Sequence, residues 1–429
     1  MSFSQNDLVR VTREIEVTEG VVVGGARDRV YGSAPTWTPE GSSLTSPINT
    51  GLAAIHSIRA GLRAAGFNIP SALTFRLNDT EREDFFRDTY AGAEKTYTDA
   101  VVDFVTAATH QDGSTGPAII DPEVAGPFLF ADIGDGSYDG AMIEISGAAV
   151  NAANKWPRPI KAVSADGKQI DLDPTYVTGA AGEFGEPLFA QAGVTATLRM
   201  GDLIRTRAID NIRSSNLEFE FPDQPGGSFL MVRGGKCGTW RHSWDGKGDI
   251  MEEYGYTAMD YDALSTTTQG NGTVNENAAV TNPHMVAGED LAYLAIGVTQ
   301  LAGVNVTSFS VEGNGNAQGI DDVSGPNRGR AGVTVGDVDV TGSIKVYHRH
   351  AQMAILQGLG RSGNLSPLAW KIIDPLGNFY WARLPKVLFE PGGPVPGAKG
   401  SRTDGTFNWR SQLASAALRT MIWQRFDKP

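Results

Sequence analysis

Glycine and proline interrupt this chain at short intervals from end to end, with 52 glycines and 22 prolines among 429 residues. Each glycine weakens a helix interior and each proline removes a backbone donor, so the pattern favours short strands and turns over long helices. Between these breaks, apolar residues recur at every second position. Leu73, Phe75 and Leu77 alternate in one segment, Leu217, Phe219 and Phe221 in another, and Val338, Val340, Ile344 and Val346 in a third. Period-two alternation is the pattern of half-buried strands. The fold class expected is mainly β with minor α.

The chain reads as a series of units. Residues 1–45 show no sustained periodicity and read as an extended N-terminal arm. Residues 46–110 and 200–262 read as one discontinuous β domain, and residues 111–199, with short apolar segments between glycine, proline and aspartate, as a small β domain inserted into it. Residues 263–283, rich in Thr, Asn and Gly, read as a linker or exposed loop, and residues 284–429 as a second β domain. A helix is expected after Leu77, with Thr80 and Glu83 in a capping-box pattern and Gly92 ending it. A second is expected over Ala351–Leu359. Hairpins are expected at Leu217–Val232 and, around the turn Asp374–Asn378, at Leu368–Leu384. Both halves thus run strand, short helix, hairpin, and the first differs mainly by its insertion between helix and hairpin, which implies a hidden duplication. Segments 1–49 and 265–282 have too few periodic apolar positions for cores of their own and are expected to order only on assembly.

Chemistry is sparsely marked. A single cysteine, Cys237, excludes an internal disulfide framework and multi-cysteine metal sites. His348 and His350 could share a strand face, but no third ligand is near in sequence. The acidic run Asp132–Asp139 lacks the EF-hand order, and Gly313–Gly319 misses the dinucleotide-binding spacing. Carboxylate pairs such as Glu252–Glu253 and Glu289–Asp290, with eight tryptophans, keep a carbohydrate-binding or carbohydrate-active β-sandwich as an alternative. No catalytic, cofactor or metal site is expected. The net charge of −13 argues against holding nucleic acid through its phosphates. No apolar run is long enough to span a membrane, and the first residues carry no export signal.

Three segments, Val304–Asn314, Asp339–Tyr347 and Gly377–Val387, stand in an order and spacing that resembles the major tail tube proteins of long-tailed bacteriophages. In that family a strand with a Val-Thr-Gly-Ser core, here Val340–Ser343, leads into a short helix, and an aromatic-rich strand ends in Leu-Pro, here Leu384–Pro385. Tyr138–Asp173 looks like the small inserted domain of some members. The resemblance implies a structural virion protein, assembled in the host cytoplasm, that stacks in rings through which DNA passes without specific binding. It also implies a tape measure protein and a tail terminator as partners. Two tube-type domains per chain would close a pseudo-six-fold ring from three chains, whereas one would require six. The N-terminal arm is expected to contact the neighbouring ring. Glu218, Glu220, Asp337 and Asp339, on polar faces opposite apolar ones, are the candidates for an acidic channel wall that keeps phosphates away.

Overall fold

A computed structural model describes the chain outside residues 1–8, 23, 33–34, 46–57, 91–93, 175–185, 207–211, 223–226, 271, 298, 301–305, 322–328, 348–349, 396–402, 415–419 and 429. The protein is mainly β. In chain order the first elements are β1 (Arg10–Ile15), β2 (Arg27–Val30), β3 (Thr36–Thr45), β4 (Ile58–Ala72) and helix α1 (Asp79–Phe86). There follow β5 (Lys95–Thr109), β6 (Thr115–Ile120), β7 (Met142–Ser146), β8 (Arg158–Val163), β9 (Gln169–Leu172) and β10 (Gln191–Met200). Next are β11 (Asp202–Arg205), β12 (Ser215–Glu220), β13 (Phe229–Asp245), β14 (Met251–Ala258), β15 (Asp260–Tyr261) and β16 (Val274–Asn275). The second half continues with β17 (Leu291–Ile296), β18 (Thr299–Gln300), β19 (Val306–Asn314), β20 (Gln318–Asp321), β21 (Arg330–Thr334), β22 (Asp339–Tyr347) and α2 (His350–Ser362). It ends with β23 (Ser366–Ile373), β24 (Phe379–Phe389), β25 (Gly393–Val395), β26 (Asp404–Ser411) and β27 (Ile422–Phe426).

Strands β5 to β10 close into a six-stranded barrel in the order β10-β5-β6-β9-β8-β7. Its interior is filled by Val102, Phe104, Ile119, Ile143, Ile160, Ile170 and Leu198, so it is a packed core. Lys95 and Met200, the two ends of the barrel segment, are paired neighbours, which lets the whole unit be inserted at one point of the chain. The inserted unit therefore begins at β5, sixteen residues before the boundary at 111 that composition suggests. The boundary was obscured because β5 carries exposed Thr, Asp and Val along one side and reads as part of the flanking domain.

Outside the barrel, pairing occurs twice in the same pattern. In the first half the antiparallel neighbours run β1-β12-β13-β14-β4-β3. In the second they run β17-β23-β24-β26-β22-β19. The correspondence holds residue by residue. Ala72 opposite Met251 has Tyr347 opposite Asp404 as its counterpart, and Thr36 opposite Asn68 has Ser310 opposite Ser343. Each half has a helix between its third and fourth strands in chain order of that set, α1 after β4 and α2 after β22, and the barrel lies between α1 and β12.

The two halves are joined edge to edge, since the later part of β13 pairs with β19 from Thr239–Asn314 to Asp245–Ser308. One core runs through both, including Phe67, Trp240, Phe309, Trp370, Trp409 and Trp423. Two glycines permit its close contacts. A side chain at Gly313 would collide with the Phe85 ring of α1, and one at Gly342 would collide with the Ser310 carbonyl and the Trp409 indole. In β26, buried Gly405, Phe407, Trp409 and Ser411 alternate with exposed Thr406, Asn408 and Arg410. By contrast Phe379 to Val387 of β24 is buried on both faces apart from Lys386, because the main core covers one side and the barrel the other.

Several sequence expectations are corrected. β1 and β2 are sheet strands: Val11 is core, and β1 pairs with both β12 and β2. The described part of the N-terminal segment is therefore built into the fold and is not a free arm. The 265–282 segment is docked as well, with β16 parallel to β2. Strand β4 ends at Ala72, Thr74 makes an isolated bridge to His284, and Phe75–Asn78 forms turns with Arg76 in the left-handed region at φ 63°. α1 starts after Asn78, whose amide bonds Ser71, and stops at Phe86 because Arg87 takes φ 58°; Gly92 lies outside the described residues.

Candidate functional site

The four proposed wall residues do not share one environment. Glu218 is 3% exposed. Its carboxylate is ion-paired with Arg27 and accepts hydrogen bonds from the Thr268 hydroxyl at 2.8 Å and the Gln269 amide at 2.6 Å. The alternation around it is real, but its polar face is roofed by the 265–282 segment, so Glu218, expected on a water-facing wall, is buried. Glu220 is half-buried with Arg10 at 3.8 Å. Asp339 receives two hydrogen bonds from Arg410, at 2.9 and 2.6 Å. Asp337 is exposed in the irregular segment before β22. The pairs are also not equivalent positions, because β12 corresponds to β23 whereas β22 corresponds to β4.

Other candidates fare similarly. Cys237 is buried, and burial pushes its thiol well above the usual range, which leaves little thiolate. His348 lies outside the described residues, and His350 begins α2. In the acidic run, Asp135 accepts from the Ser137 amide at 2.9 Å, a local turn closure. No group of three or more potential metal ligands occurs among the described residues.

Sequence reasoning missed a buried charge cluster beneath α1. Arg82 has no exposed side chain; it bonds Glu252 at 2.7 Å and Asp79 at 2.5 Å. Its guanidinium stands 4.9 Å from the Tyr380 ring and 5.1 Å from the Trp423 ring. Burial opposes the positive charge, but Glu252 together with Tyr254, Tyr90 and Tyr380 outweighs it and raises the pKa well above its ordinary value. Arg425 bridges Asp79 to Asp202, the latter at 2.7 Å. Arg13 pairs with Asp84 and, at 3.4 Å, with Glu81. These contacts tie α1 to strands of both halves. His242 lies beside them, 5.8 Å from Trp240 and 5.3 Å from Trp423, with neither ring nitrogen hydrogen-bonded. Burial, aided by Arg82, pulls its pKa from 6.5 to about 3. The effect of the cluster is to lock the halves together.

Among the described residues, two kinds of surface bear on what the protein could meet. The first is a cavity of about 490 Å³ between the barrel and the second half, lined by Glu144, Trp156, Arg199, Tyr293, Lys371 and Trp381 among others. Lys371 pairs with Glu144 and stands 3.8 Å over the Phe379 ring; burial lowers its pKa. The second surface is formed by unpaired strand edges. Among the described residues β3 pairs with β4 alone, and β25 with β26 alone. No protein family matches the chain, and no curated protein is detectably similar to it. None of the described helices is long and apolar enough to cross a membrane.

Proposed function

We propose that this chain is a structural subunit that polymerises head to tail into stacked rings, forming the tail tube of a long-tailed bacteriophage. The observation that carries the reading is the repeated six-strand pairing, joined inside one chain by unlike edges, β13 of one half to β19 of the other. A contact between unlike surfaces propagates, and if its rotation closes it makes a ring. Two half-units per chain favour three chains in a pseudo-six-fold ring over six. DNA would pass through the ring without specific binding, in keeping with the net charge of −13. Tape measure and terminator proteins would be its partners in the virion tail. The test is electron microscopy of the purified protein: hollow stacked rings support the reading, and dispersed monomers at high concentration refute it.

A second reading rests on the cavity. Trp156, Tyr293 and Trp381 give it aromatic walls, and Glu144, Lys371 and Arg199 give it polar groups, a combination suited to a sugar. Binding of a glycan panel that is lost in Trp156→Ala, in a protein that does not assemble, would favour this carbohydrate-binding alternative.

A further inference from the structure

We infer that the β3 edge of one copy adds antiparallel to the β25 edge of the next, in the register already used by β19 and β13 within the chain. This rests on the ring reading above and names the contact that closes the ring.

The internal joint supplies the template. Ser243 opposite Met251 has Val395 opposite Asp404 as its second-half counterpart, and Arg241 opposite Glu253 has Gly393 opposite Thr406. β25 thus occupies the place of the β13 segment that receives β19. On the other side of the joint, β3 occupies the place of β19, since Thr36 corresponds to Ser310 and Thr38 to Glu312. Within the chain, Ser243 faces Ser310 and Arg241 faces Glu312. The same geometry between copies sets Val395 opposite Thr36 and Gly393 opposite Thr38.

Side chains around the vacant edge agree. In the first half, Lys236 donates to the Val333 carbonyl at 2.7 Å, Ser243 faces β19, and Asp260 lies beside Gly329. All three are covered by the second half. Their counterparts are Leu388, Val395 and, two residues past β26 as Asp260 is past β14, Leu413. These are 42%, 68% and 59% exposed. Apolar residues thus stand where polar ones suffice at the internal joint, which is the exchange expected of a surface that another copy covers.

Prolines restrict what can pair there. The Gly246 amide donates to the Thr307 carbonyl at 2.7 Å, so hydrogen-bonded pairs along this joint include 242 with 311, and the pairs 241 with 312 and 243 with 310 lie between them. By correspondence Pro39 and Pro394 fall at hydrogen-bonding positions and withhold their donors, while their carbonyls still accept from Gly392 and Trp37. Such an edge resists indiscriminate strand addition but keeps one bond at each of these pairs. Thr36 and Val395 fall in a non-hydrogen-bonded pair, where the side chains approach most closely.

The test is oxidation of the full-length double variant Thr36→Cys, Val395→Cys under assembly conditions, with electron microscopy of the same samples. The expected product is a covalent series ending in a closed three-chain species, at least about fivefold more abundant than from Thr38→Cys, Val395→Cys, whose side chains are out of register. Mixing the two single variants should yield linked pairs only. Rings without in-register links overturn this inference and leave the tube reading standing. In-register links in open chains that never form rings overturn the tube reading alone. Monomers without links overturn both.

Discussion

Arg82 has almost no sequence signature, because an arginine in a short polar helix reads as solvated, yet its charge is fully enclosed by Glu252, Asp79 and two aromatic rings. Removing one partner from such a pair leaves the others buried without compensation. Arg82→Met should therefore lower stability by about 3–5 kcal/mol in chemical denaturation, and a loss within experimental error would contradict the role given to the cluster. Glu218 was misread for a related reason: strand alternation identifies a polar face but not what covers it. Glu218→Lys sets a second cation beside Arg27, so it should destabilise the monomer before any effect on DNA passage can be measured, and a variant with an unchanged unfolding midpoint would restore Glu218 as a surface residue. His242 titrates with the opposite sign to a paired histidine. Its folded pKa of about 3 lies below the ordinary 6.5, so the unfolded chain binds the proton first. Stability from this group is intact above pH 6.5 and falls as pH drops toward 3, by about 1.4 kcal/mol per pH unit. His242→Phe should remove that slope from the pH dependence; identical slopes in the two proteins would refute the assignment.

Elements whose alternation and turn residues agree were legible. The hairpin β23–β24 follows from its alternating flanks and the Asp374–Asn378 turn, in which Asp374 accepts from the Leu376 and Asn378 amides. The strand-helix-hairpin order was legible for the same reason. What sequence did not reveal were strands such as β1, whose polar residues Thr12, Arg13 and Glu14 are buried beside Val11, because Arg13 is enclosed by Glu81, Asp84 and Ser215, all more than sixty residues away. The barrel was legible as a unit but not at its first strand. Its core is nearly self-contained, taking only Leu203 and Ile422 from outside among the described residues. A fragment spanning residues 94–201 should therefore fold cooperatively by itself, as read by thermal unfolding and amide dispersion. The chain lacking those residues should keep a cooperative transition but bind a hydrophobic dye, since Phe379, Trp381 and Tyr293 lose their cover. A fragment without a transition would show that the barrel depends on the sheet.

At the scale of the whole molecule, the repeated pairing makes the chain equivalent to two linked copies of one unit. Its free edges then become the missing halves of a joint that the molecule already contains. The channel reading is narrower than sequence alone suggested: Glu220, Asp337 and Asp339 remain candidates for a water-facing wall, and two of them are held by arginines. Stoichiometry bears on the account most directly, because it depends on both the duplication and the tube. A map of the assembled protein, taken with the mass of one ring, should show three chains of 45.6 kDa each around a hollow bore, six similar half-units per ring, and β3 of each chain beside β25 of its neighbour. A ring of six chains, or a protein that stays monomeric, would contradict it.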